Sequence, residues 1–142
     1  IRALAFLRTN QESITNYRTK TIKERPFRIL RIALDMPREA LYKRINQRVD
    51  LMLQNGLTEE IKALEPYQSY KNLQTVGYKE FFEAPEWQSD NAVLASVIDK
   101  VKQHSRNYAK RQITWFKKDH NYQWFEPKNT AQIIEYIDKE LA

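Results

Sequence analysis

The sequence has 142 residues, and its 24 lysines and arginines outnumber its 18 acidic residues, which gives a net charge of +6. It contains no cysteine, which excludes a disulfide scaffold, an iron–sulfur centre, a cysteine nucleophile and a cysteine-based zinc site. Its two glycines, Gly56 and Gly77, are too few for a glycine-rich phosphate-binding loop. We expect no membrane span, no secretory signal and a cytoplasmic location.

The order of apolar and polar residues predicts a chain made mostly of helices. Residues 1–8 place apolar side chains on one helical face, and residues 9–26 are polar, with a short helix around Ser13–Tyr17 and then a loop. The apolar run Phe27–Leu34 predicts a strand, which Pro37 ends. Further helices are predicted at residues 37–55, 57–64, 78–82, 90–118 and from 130 onward, and a second strand at residues 122–125.

The expected fold class is therefore mainly α with two short β-strands. Pro37 is typical of a first helical turn, Gly56 of a helix end and Asp90 of a helix N-cap. The strand–helix–helix order after residue 27 suits part of an α/β domain.

The longest predicted helix carries a concentration of positive charge. Between Lys100 and Lys118 there are seven basic residues and no acidic residue. The periodicity predicts one buried stripe on this helix, formed by Leu94, Val97, Ile98, Val101, Tyr108 and Phe116. The bases take other faces, in rows formed by Lys102, Arg106 and Lys110 and by Arg111 and Lys118.

This basic helix has two interpretations. It is a solvated, lysine-rich face, or it binds a polyanion that relieves the repulsion between like charges. Side chains that hydrogen-bond or stack on bases lie among the cations, namely Asn107, Tyr108, Gln112 and Trp115, which favours nucleic acid. His104 has no second histidine near it in the sequence, and we assign no metal site.

Two arginines stand beside the apolar stripe of the helix predicted at residues 37–55. Arg48 lies three residues after Ile45, and Arg44 lies one turn earlier. Such an arginine extends to solvent, pairs with an acid such as Asp50, or faces an anionic ligand. The preceding strand ends at Asp35, and ligands of open α/β sheets bind beyond the carboxyl ends of the strands.

Three segments together resemble the tRNA dimethylallyltransferase family. The segments are Leu41–Asp50 followed by Asn55–Leu57, Asn72–Glu80, and Ser105–Phe116. They occur in the order and spacing of the family, and the resemblance spans nearly the whole sequence.

The resemblance implies transfer of a dimethylallyl group from dimethylallyl diphosphate to the exocyclic amine of the adenosine 3′ of the tRNA anticodon. It implies a fold like that of P-loop kinases with a helical insertion, in which residues 1–26 end the insertion and its loop and residues 27–142 form the C-terminal part of the catalytic core. The target base is flipped out of its stack, because a stacked base hides its amine. The implied partners are the tRNA anticodon stem-loop and dimethylallyl diphosphate, with Mg²⁺ as cofactor, bound largely outside this chain, and a monomeric protein.

The resemblance also assigns roles to residues. Arg48 matches the arginine that acts on the donor diphosphate. The segment Gln74–Lys79 matches a tRNA-contacting loop, in which Gly77 lets the backbone approach the RNA, and Arg2 matches the end of another contact. The residues of these contacts are Arg2, Gln74, Thr75, Val76, Gly77, Tyr78, Lys79, Lys110, Arg111, Gln112, Ile113, Thr114, Trp115, Phe116 and Lys117.

The family's phosphate loop and general-base aspartate have no counterpart in this sequence. We therefore expect a C-terminal portion of such an enzyme, inactive by itself. One alternative is a non-catalytic helical RNA-binding module, and another is a scaffold whose basic helix is merely solvated. The salt dependence of RNA binding separates the scaffold from the other two.

Overall fold

The computed structural model describes residues 2–17 and 26–141, except for the side chain of Arg2. The α-helices of these ranges are α1 (Arg2–Asn10), α2 (Arg38–Gln54), α3 (Leu57–Leu64), α4 (Lys79–Phe82), α5 (Asn91–Phe116) and α6 (Thr130–Leu141). The strands are β1 (Ile32–Leu34) and β2 (Gln123–Phe125). Short 3-10 turns lie at Ile14–Tyr17, Glu65–Tyr67, Lys71–Leu73 and Pro85–Gln88.

The predicted helices and strands are confirmed in type and order within the described ranges, including the mainly helical fold class. The loop predicted after Tyr17 lies mostly outside the described residues. Asp90 caps α5, since its carboxylate accepts hydrogen bonds from the N–H groups of Ala92 (2.7 Å) and Val93 (3.4 Å). Gly56 separates α2 from α3 with a φ of +92°, a backbone conformation that favours glycine. The segment between α3 and α4 contains two 3-10 turns, Glu65–Tyr67 and Lys71–Leu73.

β1 and β2 pair in parallel, with Ala33 opposite Trp124. The N–H of Asp35 donates to the carbonyl of Phe125 at 2.9 Å and extends the pairing by one residue. The prediction of a strand over Phe27–Leu34 is too long: only the last three residues form one, because only they lie opposite β2.

Helices α2 and α5 pack against each other in antiparallel directions. Asp50 on α2 forms an ion pair with Lys102 on α5 at 2.6 Å. One turn toward the N-terminus of α2, Asn46 accepts a hydrogen bond from Arg106 at 2.7 Å. Two members of the predicted basic row on α5 are therefore engaged by α2.

The buried core lies between residues 49 and 101 of the described chain. Its members are Val49, Leu57, Ile61, Phe81, Trp87, Val97 and Val101. Phe81 and Trp87 meet edge to face at 5.3 Å, in the helical part of the molecule. The predicted buried stripe on α5 continues only to Val101 as fully buried residues, and including Tyr108 in it is wrong: its side chain is 52% exposed. The buried core of the described residues ends at Val101, before the turn that carries Tyr108. Within residues 2–17 and 26–141, no helix has both the length and the apolar character that a membrane crossing requires.

Candidate functional site

A groove opens where β1 ends, bordered by the first turns of α2 and the C-terminal half of α5. It consists of two adjoining cavities of about 400 and 360 Å³, which share Asp35, Met36, Leu41 and Ile113 in their walls. The larger cavity has mostly apolar walls, formed by residues such as Ile32, Leu34, Phe116 and Trp124. This groove lies beyond the carboxyl ends of two parallel strands, where ligands of α/β proteins bind.

Four cationic side chains line the groove. Arg44 lines the larger cavity, and Arg38, Lys110 and Lys117 line the smaller one. Lys117 pairs with Asp35 at 2.9 Å, and its ammonium lies over the Trp124 ring at 5.4 Å from the centroid. The groove therefore combines apolar walls with a positively charged border, an arrangement that suits a ligand with both an apolar and an anionic part.

Most residues of the predicted contact segment 110–117 line this groove, and Arg111 and Trp115 lie outside it. Ile113 and Phe116 are half-buried and line the larger cavity. The exposed members are Lys110, Arg111, Gln112, Thr114, Trp115 and Lys117. Thr114 uses its hydroxyl to donate to the Lys110 carbonyl at 2.9 Å.

Two exposed aromatic side chains accompany the cations on α5. Trp115 is 65% exposed and stands edge to face against Phe116 at 4.9 Å. The guanidinium of Arg111 lies 5.7 Å from the centroid of the Tyr108 ring. Exposed aromatic rings next to cations are the usual means of stacking on single-stranded bases.

The segment Gln74–Lys79 forms a turn whose polar side chains are held by neighbouring residues. Gln74 donates to the carbonyl of Gln68 at 2.7 Å, and Lys79 pairs with Glu83 at 3.3 Å. The hydroxyl of Tyr78 donates to Glu60 at 2.7 Å, and this hydrogen bond together with partial burial raises the pKa of Tyr78. Thr75 and Val76 are exposed at the outside of the turn.

Within this segment, Thr75–Tyr78 form a four-residue turn. Gly77 occupies its third position with a φ of +103°, as type II turns require. Tyr78 N–H donates to the Thr75 carbonyl at 3.2 Å and closes the turn. Gly77 itself is buried and its N–H donates to Glu80 at 2.8 Å. The amide of Gly77 is therefore already engaged within the protein, and the expectation that this glycine lets the backbone approach the RNA stays a prediction.

The contact between Glu80 and His104 was not predicted from the sequence. Glu80 is 3% exposed, and its second oxygen lies 2.6 Å from His104 Nδ1 on α5. The spacing Gly77–Glu80 was one available signal, since an acid three residues along commonly reaches back to a backbone N–H. The contact with His104 crosses 24 residues of sequence and leaves no local pattern.

The Glu80–His104 contact joins the end of the Gly77 turn to α5. His104, Tyr108 and Arg111 follow each other at helical spacing and share one face of α5. The turn at Gly77 therefore lies beside the same face that carries the exposed Tyr108–Arg111 pair one and two turns further along.

Arg48 is exposed on α2 and stands outside the groove. Asp50, the acid considered as its partner, pairs with Lys102 instead, and Arg48 has no ion pair with any residue in the described ranges. Arg44 and Arg48 are one turn apart, on the side of α2 opposite Asn46. The structure thus places Arg48 one turn beyond the arginine that lines the larger cavity.

The structure gives little on two further expectations, the Arg2 contact and the magnesium ion. Arg2 begins α1, and its side chain lies outside the described residues. Within residues 2–17 and 26–141, no three histidine, aspartate or glutamate side chains gather as metal ligands.

Comparison with known proteins identifies the family. A sequence model described as IPP transferase matches residues 1–119. tRNA dimethylallyltransferase 1 of Phocaeicola vulgatus is 45% identical over 139 residues, which cover 96% of this chain and 45% of that protein. tRNA dimethylallyltransferase of Oceanobacillus iheyensis is 42% identical and is covered over 46% of its length. The chain spans about half the length of the curated relatives it matches.

Solved structures agree. The tRNA Δ2-isopentenylpyrophosphate transferase of Staphylococcus epidermidis superimposes with a TM-score of 0.72 at 32% identity, covering 98% of this chain and 47% of that one. The tRNA isopentenylpyrophosphate transferase of Bacillus halodurans gives a TM-score of 0.69 at 36% identity, covering 82% of this chain and 39% of that one. The predicted fold class is thereby confirmed, and the chain belongs to the IPP transferase family.

Proposed function

We propose that this chain supplies the tRNA-contacting part and a donor-binding arginine of a tRNA dimethylallyltransferase. The reaction moves a dimethylallyl group from dimethylallyl diphosphate to the exocyclic amine of the adenosine 3′ of the anticodon. The carbon–oxygen bond to the diphosphate breaks as the carbon–nitrogen bond forms. The names of the relatives support the activity, and the general base is expected outside this chain.

The observation that carries the proposal is the pairing of a groove with an exposed basic and aromatic face on the same helix. The C-terminal half of α5 lines the groove with Ile113 and Phe116, and presents Lys110, Arg111 and Trp115 to solvent. A flipped adenosine needs an enclosed apolar site, whereas the surrounding RNA needs cations and stacking surfaces. Both requirements meet on this helix.

In this proposal the exposed members of the two segments contact the anticodon stem-loop, and Arg2 adds a further contact. Lys110 and Arg111 neutralise phosphates, and Trp115 stacks on an unpaired base. Ile113 and Phe116 shape the entrance to the groove. At the Gly77 turn, Thr75 and Val76 are the exposed residues that meet the RNA, with Lys79 beside them.

Arg48 is assigned to the donor diphosphate. Its guanidinium is exposed and has no acid partner among the described residues, so its donors are available to an anion. A planar guanidinium binds two phosphate oxygens at once and stabilises the charge that grows on the leaving diphosphate. Arg44, one turn closer to the groove, is placed to bind the same anion.

Mg²⁺ belongs to the same proposal as a companion of the diphosphate. Magnesium sites in phosphate-transfer proteins use few carboxylates together with substrate oxygens. Since the described residues offer no cluster of metal ligands, we assign the ion to the substrate and to groups outside this chain.

We also propose a monomeric protein of the cytoplasm. The sequence has no cysteine and so no need of an oxidising compartment. Size-exclusion chromatography with light scattering checks the monomer directly.

The test uses the family-length enzyme that contains this segment. Arg48→Ala is expected to lower turnover about 100-fold or more, as removal of one transition-state donor does, with tRNA affinity nearly unchanged. Lys43→Ala removes the same charge from another face of α2 and serves as the control. Loss of tRNA affinity in Arg48→Ala, equal to the loss of turnover, would move Arg48 to the RNA-binding surface.

The isolated 142-residue chain tests the alternatives. We expect it to bind an anticodon stem-loop with an affinity that falls steeply with salt, and to show no prenyl transfer. Absence of RNA binding would favour the scaffold, and unimpaired catalysis by Arg48→Ala in the longer enzyme would favour a purely RNA-binding role for this segment.

A further inference from the structure

The buried carboxylate of Glu80 stands between the Gly77 turn and α5. It is the only charged side chain that is buried in the described part of the chain. A buried carboxylate is costly unless hydrogen bonds satisfy both of its oxygens. Here one oxygen accepts from Gly77 N–H at 2.8 Å and the other lies 2.6 Å from His104 Nδ1.

The direction of these hydrogen bonds follows from the chemistry of the groups. An ionised carboxylate only accepts hydrogen bonds, so His104 Nδ1 carries the proton and donates it. Glu80 is thus fixed from α5 and in turn fixes the amide of Gly77. The other polar contacts of the turn bind its ends: Gln74 to Gln68 and Tyr78 to Glu60.

The backbone at Gly77 needs such support. Its φ of +103° is one that few residues other than glycine adopt, and an added Cβ would meet no atom within 4 Å. Among the described residues, no side chain therefore packs against the position where a Cβ would stand. The hydrogen bond from Gly77 N–H to Glu80 ties the turn to α4, and through His104 it ties the turn to α5.

We propose that Glu80 and His104 are positioning residues. They hold the Gly77 turn in a fixed position relative to the Tyr108–Arg111 face of α5, so that the turn and this face contact the same RNA backbone. This inference rests on the proposed function for the identity of the ligand. Neither residue contacts the RNA: Glu80 is buried and acts through Gly77, and His104 acts through Glu80. The negative charge of Glu80 strengthens the hydrogen bonds that its carboxylate accepts, whereas its direct electrostatic effect on the RNA is repulsive.

This role predicts that loss of Glu80 weakens RNA binding, whereas simple electrostatics predicts that it strengthens RNA binding. Removing an acid near an RNA surface strengthens RNA binding when only charge matters. Glu80→Ala is expected to weaken binding of the isolated chain to an anticodon stem-loop about tenfold, because Gly77 N–H loses the carboxylate that accepts its hydrogen bond. Glu83→Ala removes the same charge one turn away, from an exposed side chain that pairs with Lys79, and should leave binding unchanged or tighter.

The conservative variant separates positioning from charge. In Glu80→Gln the amide oxygen still accepts from Gly77 N–H, and the amide nitrogen donates to His104 in its other tautomer. We expect binding within about threefold of that of the wild type. His104→Ala, at a side chain that is 46% exposed, should fold well and weaken binding less than Glu80→Ala does.

A direct readout exists because the sequence has two glycines. Selective ¹⁵N-glycine labelling gives two amide signals, from Gly56 and Gly77. Gly77 N–H donates to a carboxylate, whereas Gly56 N–H donates to the Leu53 carbonyl at 3.2 Å. The Gly77 signal should shift upfield in Glu80→Ala, shift less in His104→Ala, and return toward its wild-type position in Glu80→Gln, with Gly56 unmoved.

The two readouts distinguish failure of the inference from failure of the proposed function. A wild-type chain that binds no RNA overturns the proposed function and the RNA part of this inference. RNA binding that is unchanged in Glu80→Ala while the Gly77 signal shifts overturns the positioning role alone. Weaker binding in Glu80→Gln to the same extent as in Glu80→Ala also overturns it, since the charge would then matter. If Glu80→Ala does not fold, Glu80→Gln and His104→Ala decide the question with the same measurements.

Discussion

Two regions of this molecule differ in how much they bury. We call residues 49–103 the helical half and residues 26–48 with 104–141 the strand half. Every fully buried hydrophobic side chain of the described chain lies in the helical half, and none lies in the strand half. The groove lies in the strand half, together with the cations that line it.

The difference assigns separate tasks to the two halves. A two-stranded sheet is marginal by itself, so the strand half depends on α2 and α5, which run through both halves. Side chains that are not used in packing remain available to a ligand, as at Lys110 and Trp115. The helical half therefore supplies the buried core and the strand half supplies the groove, whereas the Gly77 turn carries the proposed RNA-binding surface into the helical half.

The largest expected effect contrasts two isoleucines on amphipathic helices. Ile61 on α3 is 1% exposed and Ile134 on α6 is 54% exposed. Ile61→Ala should lower the free energy of unfolding by about 3 kcal/mol, since it leaves a cavity in the core. Ile134→Ala should change it by no more than about 0.5 kcal/mol. Urea denaturation followed by circular dichroism measures both changes. Equal losses of unfolding free energy would contradict the division into two halves.

The sequence predicts some features of this division and not others. Local signals located the helices well: Asp90 caps α5 and Gly56 ends α2, because each acts through its own backbone neighbourhood. The exposure of Tyr108 could not be foreseen from periodicity. The helical spacing continues past Val101, whereas the packed partners do not.

The candidate site was predictable only in part, because local patterns are visible in the sequence and packing between distant residues is not. The charge and aromatic pattern of 110–117 is visible in the sequence, and the cavity walls at Ile113 and Phe116 are not, since they depend on where β1 and β2 pair. The contact from Glu80 to His104 joins two helices and could not be predicted locally. Asp50 is a possible partner of Arg48 by sequence, but it pairs with Lys102 because α2 packs against α5.

The second effect compares the two glycines. Both have positive φ, +92° at Gly56 and +103° at Gly77, and a Cβ meets only Glu59 at 3.6 Å in the first case and no atom within 4 Å in the second. Each Gly→Ala change should cost about 1 kcal/mol of unfolding free energy, from strain in the left-handed region. Only Gly77→Ala should also weaken RNA binding severalfold. An equal loss of RNA binding in Gly56→Ala would show that the effect follows stability and not the turn.

The third effect concerns charge in the strand half. Lys110 is exposed and lines the smaller cavity. Lys110→Ala should weaken stem-loop binding severalfold and lower the slope of log affinity against log salt by about one, as loss of one phosphate contact does. Lys139→Ala, at an exposed lysine near the end of α6, removes the same charge away from the groove and should leave the slope as it is. Identical slopes in all three proteins would contradict phosphate contact at Lys110.

The smallest effect lies in the helical half and depends on pH. The hydroxyl of Tyr78 donates to Glu60, and this hydrogen bond raises the pKa of Tyr78 above its ordinary value of 10.0. The folded chain therefore holds this proton more tightly than the unfolded chain, so the stabilisation is complete below about pH 10 and is lost as pH rises through the folded pKa.

Tyr78→Phe lacks the hydrogen bond at every pH. We expect it to be less stable than the wild type by no more than about 1 kcal/mol near neutral pH, and the difference to shrink above about pH 10. Tyr70→Phe removes a hydroxyl that has no hydrogen-bond partner in the described ranges and controls for loss of a hydroxyl near neutral pH. A stability difference that grows as pH rises would mean that the unfolded chain, and not the folded one, retains the tyrosine proton, and the tie from α3 to the Gly77 turn would then contribute nothing to the helical half.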